Sequence, residues 1–532
     1  MRILIFHGYL LGGTGSNVYN ARLAAALAGQ GHEVHVLSQD RHPDEQPFVD
    51  AAGDWDSGSL RVRDLGREGR ARPSGGRCTV YRPDIGGLLP VYVADRYEGV
   101  QARTFASCTD EEIARYVELN VAAVAELVEL VELVAADVAL ANHLVMGPLI
   151  LARALAGRVP YAVKIHGSAL EYTVKPEPER FLPAAREGLA GATGVLVGSR
   201  HTAESLWRTI EDAALPARTR LGPPGVDVER FAPREPVAAA AGVRELSARL
   251  ARLGAQASAG PEDGAFARDV PAAAAALGRL DPEHERLVAF VGKLIVSKGV
   301  DLLAAAWPLV LERHPDARLV MVGFGAYRTG LERLIGALAA GDLPAAVAIA
   351  AAGRSLEDET APPSPLRHLL AFLEGLEGAE REHYLAACEG LAEGIVLTGR
   401  LEHDELAELL PACEALVVPS TFPEAFGMVA AEAAACGVLP VSAAHSGLQE
   451  VSVALAQTLP EAAGACLSFT VDDDAVRSLA GCLLGWMAID RDVRALARDG
   501  LTGTVRRRWS WAGVAEGVIA AAQGRLEGLQ EP

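Results

Sequence analysis

Short apolar runs bounded by turn residues recur along the chain, and the stretches between them carry apolar positions at helical spacing. The first forty residues set the pattern. RILIF is followed by a glycine loop, then by VYNARLAAALAGQG, in which Val18, Ala21, Ala25 and Ala28 share one helical face, then by EVHVLS. Gly29 and Gly31 suit the helix end. Strand, helix and strand in that order predict a βαβ opening. DVALA (137–141), YAVKI (161–165) and GVLVGS (194–199) continue the alternation. Continuous apolar runs of this kind predict a parallel sheet covered on both faces.

The alternation lapses after PPGVDVERFAP (223–233). Residues 234–285 are alanine-rich with Gly, Pro and charged breaks such as SAGPEDGAF, which predicts a linker or an inserted helical segment. A second alternating unit begins at RLVAFVGK (286–293) and continues through ARLVMVGFG (317–325), GIVLTGR (394–400), ALVVPS (415–420) and GVLPVSA (437–443). Residues 335–392 favour helix and read as an insertion in that unit. The expected fold class is α/β: two Rossmann-like doubly wound domains, 1–233 and 286–508, with helical insertions and a terminal segment 509–532.

Length agrees with that division, because 532 residues exceed what one ordinary core accommodates. A formal net charge of −20 disfavours a general role on nucleic acid or anionic lipid. Seven cysteines, an odd number with no C-x-x-C pair, suggest neither a disulfide framework nor a zinc site, and a reducing cytosol fits best. MRILIFHGYLL lacks a cleavage site and reads as a strand, and no apolar run is long enough for a membrane span. The expected location is cytoplasmic, with contact at a membrane surface left open.

Candidate chemistry gathers at strand ends, where open α/β sheets bind ligands. The loop GGTGSN (12–17), with Gly13 and Gly15, precedes a helix whose amides face an anion in many such folds. Three readings stay open for it: a phosphate- or substrate-facing loop, a plain connection, or a dinucleotide loop with Asp40 as the ribose acid. His166 ends the run YAVKI, and Gly323 ends another in VGFG. Lys293 and Lys298 lie in VGKLIVSKGVD (291–301), where two ammonium groups suit a diphosphate and solvent equally well. VDDDA (471–475) reads as the acidic start of a helix more than as a metal site. The arginines from Arg61 to Arg77 read as a solvated loop.

The stretch PEAFGMVAAEAAACG (423–437) is the most informative. Glu432 sits among alanines, so its carboxylate has little water, and an unpaired buried carboxylate costs several kcal/mol. A partner is expected, and a ligand is one. Glu424 falls in the loop before the helix, which is expected to begin near Phe426 or Gly427. Eight residues of helix span on the order of 12 Å, the scale of a nucleoside diphosphate sugar. The layout expected from this places ribose hydroxyls on Glu432, the diphosphate on the amides from Gly427 through Met428 to Val429, and sugar hydroxyls on Glu424. The alternative is that both glutamates pair with arginines or face water.

In their order, GGTGSN, KIHGS, PPGVDVERF, VGKLIVSKGVD, VGFG, LTGRL, PSTFPEAFGMVAAEAAACGVLPV and RRRWSWAGVAEGV resemble the retaining glycosyltransferases of family 4 (group 1) with the GT-B fold. The resemblance covers most of the chain outside 41–77, 234–285 and 335–392. It implies two domains facing a cleft, with the donor on the second and the acceptor on the first. Lys293 and Lys298 would stabilise the departing diphosphate, Glu432 would hold ribose and Glu424 the donor sugar. His166 would lie beside the anomeric carbon, Arg400 and Leu401 near the base, and Gly13 and Gly15 over the donor. Lys293 stands where the family commonly has arginine, and Pro224 where asparagine is frequent before Gly225.

The implied activity is hexosyl transfer from a nucleotide diphosphate sugar to an unidentified carbohydrate, lipid or small-molecule acceptor. It implies retention by front-face attack, no cofactor and no required metal. The segment around Trp509 and Trp511 would form a last helix crossing back to the first domain. The competing readings are an epimerase or phosphorylase on the same fold, a nucleotide-sugar-binding protein without turnover, and, more distantly, a dehydrogenase.

Overall fold

The computed structural model describes residues 1–13, 15–56, 59–66, 75–92, 100–256, 268–357 and 363–532. Two units are each compact: Met1–Gly225 together with Trp509–Pro532, and Val226–Arg508.

The first unit is built on β1 (Arg2–Phe6), β2 (Glu33–Leu37), β3 (Ala51–Asp56), β4 (Ser59–Asp64), β5 (Arg77–Arg82), β6 (Leu88–Val91), β7 (Gln101–Thr104), β8 (Val138–Asn142), β9 (Tyr161–Lys164), β10 (Gly194–Val197) and β11 (Thr219–Leu221). Nine of these form one sheet in the order β11-β10-β9-β8-β1-β2-β5-β3-β4, and β6 pairs with β7 apart from it. All pairings are parallel except β3 with β4. Chain order reverses between β1 and β8, so the carboxyl ends of those strands flank a crevice.

The two sides of β1 show why the runs are apolar throughout. Ile3 and Ile5 join one buried cluster, with the helix Gly15–Gly29 and the terminal helix Trp511–Ala522. Leu4 and Phe6 join another, with the helix Asp110–Leu130. The terminal helix is tied down by the Thr193 hydroxyl, which donates to the carbonyls of Ala521 (2.9 Å) and Ala522 (2.8 Å).

The arginine stretch expected as a solvated loop is partly strand, and that expectation is corrected. Arg61 and Arg63 lie exposed in β4, paired antiparallel at the sheet edge, and Arg77 opens β5 and pairs with Asp64 at 2.7 Å. Charged side chains suit an edge strand, which has to resist pairing with other chains. Residues 67–74 lie outside the described residues.

The second unit carries β12 (Arg286–Val291), β13 (Ala317–Val322), β14 (Ile395–Gly399), β15 (Cys413–Val418), β16 (Leu439–Ala443) and β17 (Ser468–Phe469). They form one parallel sheet in the order β14-β13-β12-β15-β16-β17, reversing between β12 and β15. Residues 234–285 contribute the helices Pro236–Gln256 and Val270–Leu277 to this unit, and the stretch SAGPEDGAF lies outside the described residues. Residues 335–392 contain the helices Leu343–Ala352, Arg367–Glu374 and Gly378–Cys388. The insertion packs on Val300–Leu311, where the Tyr384 hydroxyl donates to the Ala305 carbonyl at 3.0 Å. All seven cysteines are free thiols. No helix among the described residues is long and apolar enough to cross a membrane.

Candidate active site

In the second unit the loops leaving β12, β13, β14 and β15 are stitched by their backbones. Gly292 N–H donates to Val322 (3.0 Å), Leu294 N–H to Phe324 (2.7 Å), Gly323 N–H to Gly399 (2.9 Å) and Thr421 N–H to Ser297 (3.0 Å). Gly299 makes a very close approach: its φ is +65° and an added Cβ would lie 1.9 Å from the Pro419 carbonyl oxygen. Only glycine satisfies both conditions, and it sets the lysine loop against the end of β15.

That contact joins two residues 126 positions apart, because Lys298 Nζ pairs with Glu424 Oε1. Glu424 is further fixed by the Ser420 hydroxyl, which donates to Oε1 at 2.7 Å, while its own amide donates to Ser446 Oγ at 2.9 Å. His445 braces both serines: Nε2 donates to the Ser420 carbonyl (2.7 Å), so Nδ1 accepts from Ser446 Oγ (3.0 Å). Oε1 is doubly engaged, which leaves Oε2 as the open acceptor of this partly exposed carboxylate among the described residues. Lys293 is exposed on the same loop.

The helix after Glu424 runs Met428–Ala435, slightly later than expected, with Gly427 as its N-cap at φ +114°. Glycine there brings no capping side chain, so the first-turn amides of Met428 and Val429 are left for another acceptor. Phe426 is buried.

Glu432 is 3% exposed, as its alanine surroundings imply, and the partner it has is a histidine. His403 Nε2 lies 2.7 Å from Glu432 Oε1, and the His403 ring packs on Phe231 with centroids 4.8 Å apart. Arg400, expected near a base, pairs with Glu402 at 3.0 Å, and Leu401 is buried beside it. The acidic run at 472–474 precedes the helix Ala475–Ala488 without a side-chain cap bond: the Asp474 amide donates to Asp472 Oδ1 at 2.9 Å, and Asp474 pairs with Arg477. Asp281, Glu283 and His284 are close enough to share a cation, but all three are exposed and Glu283 is paired with Arg244 at 2.9 Å.

In the first unit, His166 follows β9 and its Nε2 is 2.8 Å from Asn142 Oδ1 at the end of β8. Tyr19 meets its ring edge-on at 5.1 Å, and His143 lies 4.9 Å away. Burial holds His166 well below the ordinary histidine range, and His143, Lys164 and His7 push the same way. Burial likewise brings Lys164 down to about 7 and His7 to about 4. In the glycine loop Gly15 opens the helix, Thr14 lies outside the described residues, and Asn17 Nδ2 donates to the Gly12 carbonyl at 2.7 Å. Asp40, weighed above as a ribose acid, accepts the amides of Leu11 and His42, both at 2.9 Å, and so serves the loop itself.

The structure therefore brings Lys298, Glu424 and the Gly427–Val429 amides into one neighbourhood and holds His166 in the other unit. Sequence reasoning missed Ser420, His445, Ser446, His403 and Asn142. The dipeptide His445-Ser446, separated by one residue from the end of an apolar run, was the one available signal.

Residues 14–225 match the glycosyl transferase 4-like domain, and residues 369–476 match the glycosyl transferases group 1. The D-inositol 3-phosphate glycosyltransferase of Segniliparus rotundus is 30% identical over 260 residues, 49% of this chain and 44% of that protein. The enzyme of the same name from Frankia alni is 28% identical over 321 residues, 59% of this chain and 58% of that protein. The chain thus spans about half the length of these curated relatives.

Among solved structures, sucrose-phosphate synthase from Thermosynechococcus elongatus superposes with a TM-score of 0.53 at 19% identity, covering 97% of this chain and 96% of that one. Anabaena HepE in complex with UDP and glucose gives 0.52 at 14% identity, covering 97% and 98%. These likenesses establish the fold. The chain carries a glycosyl transferase 4-like domain and a group 1 glycosyl transferase domain, on the GT-B fold.

Proposed function

We propose that the chain transfers a hexosyl group from a nucleoside diphosphate sugar to a hydroxyl of its acceptor, with retention and without a metal. The observation that carries this reading is the Lys298–Glu424 pair, set beside a glycine-capped helix at the point where the strand order of the second unit reverses. In this reading the diphosphate lies on the Met428 and Val429 amides and on the ammonium groups of Lys293 and Lys298, which supply positive charge to a leaving group. Oε2 of Glu424 accepts sugar hydroxyls. Glu432 accepts ribose hydroxyls, shared with or replacing His403. His166, in the first unit, is read as a substrate contact.

The chemistry follows from that placement. The bond from the anomeric carbon to the diphosphate oxygen breaks, and the leaving oxygen takes the electron pair under the lysine charge. The acceptor hydroxyl attacks the same face, and its proton passes to the departing diphosphate. No protein side chain becomes bonded to the sugar.

The decisive experiment is a panel of UDP-, GDP- and ADP-sugars with D-inositol 3-phosphate as the first acceptor, read by nucleoside diphosphate release and by the anomeric coupling constant of the product. Transfer with retention is expected. An isomerised donor would make the protein an epimerase, an inverted product would remove the front-face mechanism, and saturable binding without release across the panel would leave a binding protein.

A further inference from the structure

Behind the glycine loop of the first unit, His7, Asn17, Asn20, Asn142 and His166 form a continuous hydrogen-bonded chain. All but His166 are at most 2% exposed. Its geometry determines which nitrogen of each imidazole carries hydrogen, because several partners are carbonyls that only accept.

Asn142 Nδ2 donates to the Phe6 carbonyl at 3.2 Å, which fixes the orientation of its amide. Its Oδ1 then faces Asn20 Nδ2 at 3.1 Å and His166 Nε2 at 2.8 Å. An amide oxygen only accepts, so His166 Nε2 has to be the N–H. Asn20 is oriented in turn by the Ser16 carbonyl, to which its Nδ2 donates at 2.9 Å, with the same nitrogen 3.0 Å from His7 Nδ1. His7 Nε2 faces the Leu10 carbonyl at 2.9 Å and Asn17 Oδ1 at 3.0 Å, and the Asn17 amide is set by its donation to Gly12. His7 is therefore also an Nε2–H imidazole. Sheet register makes this possible: Asn142 stands opposite Lys164 in the β8/β9 pair, two residues before His166.

We propose that Asn142 is a positioning residue that locks His166 as the Nε2–H tautomer, so that Nδ1 presents a lone pair to a hydroxyl of the substrate. The proposal deepens, and rests on, the reading of His166 as a substrate contact. It also names the chemistry admitted there: a group that donates a hydrogen bond, such as a sugar or polyol hydroxyl, and not a phosphate or carbonyl oxygen, which would meet lone pair with lone pair. The groups facing His166 are Tyr19, His143, Lys164 and His7, none of which supplies negative charge to favour an imidazolium. Neutral imidazole with a fixed tautomer is the consequence.

The test uses the full chain with ring-15N-labelled histidine, His166 being assigned by the signal lost in His166→Gln. The wild type at pH 7 is expected to show the long-range 1H–15N pattern of a neutral Nε2–H imidazole. Asn142→Asp replaces the amide oxygen by a carboxylate and is expected to raise the His166 titration midpoint by at least about one pH unit. An Nδ1–H pattern in the wild type overturns the proposal, as does a midpoint unmoved in Asn142→Asp. The wild-type spectrum decides even where the variant does not fold. Full transfer by His166→Gln in the donor panel would instead remove the substrate contact while the tautomer assignment stood.

Discussion

Asp301 offers a quantitative test of the lysine loop's foundations. It lies in the first turn of the helix Val300–Leu311, directly after Gly299, and is 3% exposed. Its Oδ1 is buried without a hydrogen-bond partner among the described residues, as is the Tyr327 hydroxyl. Burial pushes its carboxyl from the ordinary 3.8 up to about 7, with the Glu357 charge adding to the rise against the opposing pull of the helix amides. The folded chain therefore holds a proton that the unfolded chain releases between about pH 4 and pH 7. Stability associated with this group is fully present below 3.8 and is lost as the pH rises to about 7, at about 1.4 kcal/mol per unit. The total loss is about 4 kcal/mol, a large share of the 5–15 kcal/mol typical of a domain.

Asp301→Asn keeps an oxygen for the helix amides and cannot ionise, so it removes the loss. The second unit runs from Val226 to Arg508, and roughly 280 residues unfold with about 0.6 kcal/mol/K of entropy. Differential scanning calorimetry should show the variant's transition for this unit about 7 °C above wild type at pH 8, and within about 1 °C at pH 4. A difference independent of pH, or a less stable variant at pH 8, would refute the account of Asp301 as a buried neutral acid.

Glu432→Ala should weaken binding of the nucleoside diphosphate selected by the panel by about 10- to 100-fold, the worth of hydrogen bonds to a charged acceptor, and unchanged affinity in titration calorimetry would defeat the ribose assignment. Lys298→Ala should lower kcat by about 100- to 1,000-fold with a smaller change in donor KM, since it removes charge stabilisation of the leaving group and frees Glu424 of its partner; a change confined to KM would mean that the lysine only binds. Gly299→Ala should cost about 3 kcal/mol or more, because both its φ of +65° and the Pro419 carbonyl 1.9 Å from the new Cβ oppose it, and an unshifted transition for the second unit would contradict that close approach.

What the sequence disclosed and what it withheld follow from the same physics. β1, β8, β9, β10, β12 and β13 are buried on both faces, so each is a continuous apolar run that announces itself. β4, with the sequence SLRVRD and almost every side chain exposed, has the composition of a loop. The burial of Glu432 was legible from its alanines, but the identity of its partner was not, because His403 is 29 positions away on a helix that nothing local connects to it. Asn142 is the same case: its relation to His166 exists only through the pairing of β8 with β9. The deeper obstacle is the reversal of strand order, at β1/β8 in one sheet and β12/β15 in the other. Strand and helix alternate identically on either side of a reversal, so the repeating pattern that reveals the strands carries no mark of where the order turns. The polar groups of both sites collect at those turns, which is why the Lys298–Glu424 pair and the Asn142–His166 pair became visible only when strands distant in sequence lay side by side.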